Sequence, residues 1–403
     1  MILNRNSYFR IRSCGEVDPQ FWRHPTFTIN DGTNIFFLRD FSDADYWMFD
    51  INHGDSFDVW AMDTLIPGNI IRKIRCGEVK LLLVNSHEAY HSVVDGIYKD
   101  CIKYNIPVYQ VILFSESYDI LNEVRAISKK YNMGEIKVEW MLEFEFNART
   151  QKNNIIAAGD DLITLVDKTY AKKYLSFNLN LVTRVHRTSI LSLLRIKNLL
   201  DKGYVSAGFV KYQPEWVDLI KGVKSLFKND EVTSKLITDN EHDILNIGKL
   251  SLDSSTEKDH AWITSDTNYL YRDTYFTVVT ETNGFQWEPA GGPWGGVTGC
   301  GRLVSEKTFK PIAQKHPFIL SGIQNSLELL RELGYKTFHP WIDESYDTEP
   351  DDAKRILKVV DEIERLSNLT PDQLTVFLNG VREICDYNYT NLMSKKVWTY
   401  KLN

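Results

Sequence analysis

Four short polar clusters in this chain of 403 residues hold the side-chain types that bind anions and move protons. Arg184-Val-His186-Arg187 sets two guanidinium groups and an imidazole at the start of an expected helix. Helix N–H groups, the helix dipole and the guanidinium forks all favour an anion such as phosphate there. Thr280-Glu281-Thr282-Asn283 follows a β-branched run, so its carboxylate could accept hydrogen bonds from vicinal sugar hydroxyls. In Ser305-Glu306-Lys307-Thr308-Phe309-Lys310-Pro311, Ser305 can cap a helix, Glu306 can reach a ribose diol, and Lys307, with Lys310 a turn later, can neutralise a pyrophosphate. Asn85-Ser86-His87-Glu88-Ala-Tyr-His91 closes an apolar run, where Glu88 or His91 is placed to take a proton from a hydroxyl, with Asp95 in reserve on the next helix.

Each cluster has a plainer reading. The arginine cluster also fits a solvated loop, and Asn283 fits a turn beside an incidental glutamate. Glu306 and Lys310, four apart, also fit a surface pair worth about 0.3–0.5 kcal/mol. Glu88 and Asp95 suit helix caps equally well.

The elements that must position these residues follow from periodicity. Apolar runs at 79–84, 108–114 and 136–140, separated by helical stretches such as 118–131, predict a parallel sheet with helices on both faces, a Rossmann-like first lobe. The first 75 residues read only as an irregular or mixed-strand extension. A second α/β lobe begins near residue 166, with strands at 173–177, 275–280 and 317–321. Its expected helices cover 187–200, closed by Gly203, then 325–333, stopped by Gly334, and one opening on a capping box at Thr348-Glu-Pro-Asp. The divisions expected are 1–165, 166–370, and a helix with tail over 371–403 that packs back on the first lobe.

Composition narrows the classes. A content of 43% hydrophobic and 25% charged residues suits two folded cores, and a net charge of −7 leaves no global field for nucleic acid. Any DNA contact would need a local patch, and Arg72, Lys73 and Arg75 form a compact basic strip that equally fits a solvated face. Five scattered cysteines without Cys-x-x-Cys spacing indicate neither a disulfide framework nor a zinc site. With no signal-like N-terminus and no long apolar run, a cytoplasmic protein without membrane partners is expected. Asp43-Ala-Asp45 reads as a turn, and no essential metal or cofactor is expected. Residues 284–301 are glycine-dense but lack the Walker lysine; they read as a mobile loop whose Trp287 and Trp294 could close over a sugar or base, or as a surface loop with no ligand.

Across 174–347, Tyr-Leu-Ser-Phe-Asn with Arg184-Val-His186-Arg187, then Phe276-Thr-Val-Val-Thr-Glu281-Thr-Asn283, then Ser305-Glu306-Lys307-Thr-Phe-Lys-Pro-Ile, resembles a group of bacteriophage-encoded glycosyltransferases. More distantly, the chain is similar to the α1,3-fucosyltransferases, whose first-lobe Glu-Ser-Pro-Ser-His element is loosely matched by Leu83-Val-Asn-Ser-His-Glu88-Ala-Tyr-His91. The resemblance implies an α/β fold of GT-B type, two Rossmann-like domains facing a central cleft, with metal-independent, inverting sugar transfer. It assigns Arg184, Glu281, Glu306 and Lys307 to a nucleotide-diphosphate sugar, the co-substrate, and Glu88 to the base. The chain departs from the pattern in its Gly/Trp insertion between Asn283 and Ser305 and in Thr282 within the Glu-Asn pair.

Phage enzymes of this kind decorate hydroxymethylated cytosine, so the expected reaction is transfer of glucose or an arabinose-type pentose from a UDP-sugar to 5-hydroxymethylcytosine in double-stranded DNA, in the host cytoplasm. Arg184, Arg187 and Lys307 would stabilise the leaving diphosphate. Two alternatives stand beside it: transfer to a saccharide or protein acceptor, and nucleotide-sugar binding without turnover.

Overall fold

The computed structural model describes residues 10–11, 46–50, 68–85, 93–140, 143–157, 172–177, 184–206, 213–247, 250, 252, 268–285 and 301–395. They belong to two compact units, one covering Met1–Phe146, Thr298–Gly301 and Lys396–Asn403, the other Asn147–Val297 and Arg302–Lys395. Both are α/β, each built on a parallel sheet.

In the first unit, β1 (Arg10–Ile11), β2 (Tyr46–Asp50), β3 (Lys80–Asn85), β4 (Val111–Ser115) and β5 (Lys137–Trp140) pair in parallel in that order. Two strands therefore come from the N-terminal stretch that periodicity alone left unassigned. The chain steps in one direction across the sheet, so among the described strands there is no reversal of the Rossmann kind to open a ligand crevice. Helices α1 (Gly68–Arg75), α2 (Val93–Lys103) and α3 (Ile120–Tyr131) supply the core. Val94, Ile97, Tyr98 and Cys101 follow helical spacing and are buried with Leu81, Leu83, Val111 and Leu113. Tyr98 fixes the approach to β5: its hydroxyl donates to Gly134 O at 2.9 Å and accepts from Ile136 N at 3.1 Å.

The second unit holds α4 (Glu143–Ala157) from Asn147 on, β6 (Tyr174–Phe177), α5 (Val185–Ile196), β7 (Gly203–Ser206), α6 (Gln213–Leu226), α7 (Glu231–Asp239), α8 (Glu241–Leu245), α9 (Asn268–Arg272), β8 (Phe276–Thr280), α10 (Glu306–Ala313), β9 (Phe318–Ser321), α11 (Ser326–Glu332), α12 (Asp352–Ser367) and α13 (Pro371–Ser394). Its strand order is β7-β6-β8-β9, all parallel. The chain leaves β6 toward β7, then returns past β6 to place β8 on the other side. This reversal makes the C-terminal ends of β6 and β8 a topological switch point, where open α/β sheets bind ligands.

Two sequence expectations shift here, at Gly203 and Thr348. Gly203 opens β7 at φ −119° and caps only a short 3-10 turn, Leu200–Lys202; α5 itself stops at Ile196. The N-cap of α12 is Asp351, which accepts from Lys354 N at 3.0 Å, so Thr348 lies ahead of the helix. Helix α13 lies within the second unit: Asn388, buried, accepts from Lys336 N and donates to Lys336 O, both at 2.8 Å, while Asp386 pairs with Lys315 at 2.8 Å. Buried Phe377, Val381, Cys385 and Leu392 give that helix its inward face.

Candidate functional site

The site grows from the switch point. Phe276-Thr-Val-Val-Thr280 is buried along its whole length, as a central parallel strand must be, and delivers Glu281 at its C-terminal end. Glu281 N still donates to Ser321 O at 2.9 Å, extending the β8–β9 ladder by one residue.

Glu281 is 1% exposed. Its carbonyl oxygen accepts from Arg187 Nη2 at 2.9 Å and lies 3.0 Å from His186 Nε2, the ring nitrogen that must carry the proton in this contact. Its carboxylate accepts from Ser305 N at 3.0 Å, Ser305 Oγ at 2.5 Å, Thr282 N at 3.3 Å and Thr308 Oγ1. The group read from sequence as a sugar ligand is spent on clasping the end of β8 to the first turn of α10. A buried carboxylate needs such donors, because desolvation without them costs several kcal/mol.

The arginine cluster is likewise turned inward. Arg184, His186 and Arg187 are all buried; Arg184 Nη1 reaches Asn283 Oδ1 at 3.4 Å, and the other two meet the Glu281 carbonyl. A β-carbon built on Gly284 would lie 2.2 Å from His186 Cγ, and Phe285 meets the imidazole edge-on at 5.6 Å. Arg355 of α12 completes the wall, donating to Gly284 O at 3.1 Å and Glu349 O at 2.8 Å.

The charges nearer solvent sit on α10. Ser305 caps the helix, accepting from Lys307 N at 3.3 Å. Lys307 Nζ donates to Glu306 Oε1 at 2.5 Å, Thr282 Oγ1 at 3.1 Å and Ser305 Oγ at 3.4 Å, and the Glu306 and Lys307 side chains are 20% and 24% exposed. Burial raises the Glu306 pKa, but the charges of Lys307 and Lys310 and the hydrogen bond from Lys307 outweigh it and hold the carboxyl at about 2. Glu306 is therefore an anion at neutral pH. Lys310 is half-buried one turn along.

In the first unit, Asp95 is held by Lys130 at 2.6 Å, Lys99 at 2.7 Å and the Tyr131 hydroxyl at 3.0 Å. Burial pushes its pKa up, yet these donors bring it to about 2, so Asp95 is an ion-pair partner carrying a negative charge at neutral pH. Arg72 and Arg75 are exposed on α1, Lys73 is half-buried, and Ile70, Ile71 and Ile74 form the helix's inward face. Glu88 and His91 lie outside the described residues, as do Trp287, Trp294 and Asp43-Ala-Asp45.

The sequence places Thr282 and Thr308 within the clusters without giving either a role, and it gives none to Gly284 or Arg355. Thr308, three residues after the Ser305 cap, was the one local signal; the rest depend on partners far along the chain. Among the described residues no group of three or more His, Cys, Asp and Glu side chains could hold a metal ion, and no helix is long and apolar enough to cross a membrane. Comparison with protein-family models and with curated proteins returns no match.

Proposed function

We propose that the chain is a nucleotide-sugar-dependent glycosyltransferase whose second unit holds the donor at the β6–β8 switch point. The observation that carries this reading is the first turn of α10, where Lys307 and an ionised Glu306 stand side by side, partly exposed, one residue past the Ser305 cap. A cation and helix N–H groups suit a diphosphate, and a neighbouring carboxylate suits a sugar diol. In this reading Lys307 neutralises the leaving nucleoside diphosphate and Glu306 accepts from ribose hydroxyls. The buried Arg184 and Arg187 add positive potential behind them.

The proposal extends to a GT-B architecture, with the acceptor on the first lobe. The acceptor proposed is 5-hydroxymethylcytosine in duplex DNA, its primary hydroxyl losing a proton to Glu88 or His91 as the oxygen attacks C1 of the sugar. The new C–O bond forms as the bond to the diphosphate breaks, and the diphosphate leaves with the electron pair. The resemblance supports this acceptor, as do the exposed Arg72 and Arg75.

Purified protein with UDP-glucose or UDP-arabinose and hydroxymethylcytosine DNA should add one sugar residue per modified base, read by mass spectrometry of digested nucleosides. Free UDP with unmodified DNA would point to another acceptor or to hydrolysis. UDP binding without release from either donor would leave a binding protein, and no UDP binding would sink the reading.

A further inference from the structure

Building on the donor-site reading, we propose that Glu281 is a positioning residue that aims Lys307 through Ser305. A serine hydroxyl has one proton to give and two lone pairs to offer. The Ser305 hydroxyl donates its one proton in a hydrogen bond to the Glu281 carboxylate at 2.5 Å. The Ser305 oxygen is therefore left as an acceptor, and it faces both Lys307 N at 3.3 Å and Lys307 Nζ at 3.4 Å. The polarity of the chain Glu281–Ser305–Lys307 is fixed from its buried end.

A second acceptor, Thr282 Oγ1, lies 3.1 Å from the same ammonium, and Thr282 N is bound to the Glu281 carboxylate at 3.3 Å. Both neutral acceptors that hold Nζ are thus themselves set by Glu281. The same residue is tied through its carbonyl to His186 and Arg187 of α5 and through its N–H to Ser321 of β9. One buried residue, its main chain held in the sheet and its side chain bonded to α10, thereby registers the first turn of α10 against the sheet, and Lys307 inherits that register.

A carboxamide at 281 keeps the shape but brings two N–H donors into a ring of donors. If it points at Ser305, the hydroxyl proton turns outward toward Lys307 and the ammonium loses an acceptor. The expected signature is coupling between two side chains that do not touch in the hydrogen-bond pattern.

The test is a double-mutant cycle on the full chain, with UDP as the titrant in calorimetry, each protein measured well below its own melting temperature. Glu281→Gln should weaken UDP binding roughly tenfold, the scale of one charge-assisted hydrogen bond. In the Lys307→Met background the same change should cost less than about threefold. Ser305→Ala, which leaves the Thr308 and Thr282 bonds to Glu281 in place, should reproduce the coupling if Glu281→Gln fails to fold. Additive losses in the cycle, or a lowered melting temperature with unchanged UDP affinity, would overturn the positioning role while leaving the donor site standing. A wild-type protein that binds no UDP would instead remove the donor site, and the positioning role with it.

Discussion

The imidazole of His186 and the carbonyl of Glu281, 95 residues apart in sequence, meet at 3.0 Å between Nε2 and oxygen, deep in the second unit. This contact joins the first turn of α5 to the end of β8. Gly284 lies against the same ring and leaves no space for a side chain.

Substituting Gly284 should therefore be costly. With the built β-carbon 2.2 Å from Cγ and 2.5 Å from Cδ2 of His186, Gly284→Ala must push the ring off the Glu281 carbonyl. A loss of about 1–3 kcal/mol is expected in urea denaturation. Gly68→Ala, where nothing lies within 4 Å at the start of α1, should be neutral or slightly stabilising and serves as the control.

Lys307→Met should lower UDP affinity by about 10–100-fold, the scale of a lost charge-assisted contact to phosphate. The change should also flatten the dependence of binding on salt. An unchanged affinity in calorimetry would take Lys307 out of the donor site.

Glu306 sets a pH dependence. Its folded-state pKa of about 2 lies below the ordinary 4.5, so between those values the unfolded chain binds more protons and stability rises with pH. The contribution is whole above about pH 4.5 and is lost as pH falls toward 2; its scale is at most on the order of 3 kcal/mol. Denaturant melts across pH 5 to about 2.5 should show a shallower acid limb for Glu306→Gln than for the wild type. An identical slope would mean that Glu306 is not held ionised by Lys307 and Lys310.

Asp347 closes the Trp-Ile-Asp-Glu-Ser-Tyr-Asp run and is buried at the start of α11, accepting from Leu327 N at 2.9 Å and Glu328 N at 3.2 Å. Asp347→Ala leaves those donors unmet and should cost about 1–3 kcal/mol in stability. UDP affinity should not change, which separates this scaffold carboxylate from Glu306 when the two variants are assayed together.

Much of the second unit was legible in the sequence because its signals are local. The run Phe276–Thr280 is β-branched and uninterrupted, Ser305 stands where a cap belongs, and Gly334 adopts φ +86° just past α11, as a helix-stopping glycine does. Boundaries that depended on competition between neighbouring signals were less secure. Asp351 displaced Thr348 as the cap of α12, and Gly203 went to a strand because it and Tyr204 pair with Tyr174 and Leu175 of β6.

Charge and residue type along the chain determined which residues could grip a diphosphate or move a proton. Only the tertiary structure decided which of them face outward. Glu281 and Lys307 look alike as site candidates in sequence, yet Glu281 is sealed by donors 24 and 27 residues away, while Lys307 stays partly exposed. The reason is that a hydrogen bond depends on distance in space, and the fold brings the first turns of α5 and α10 together at the end of β8.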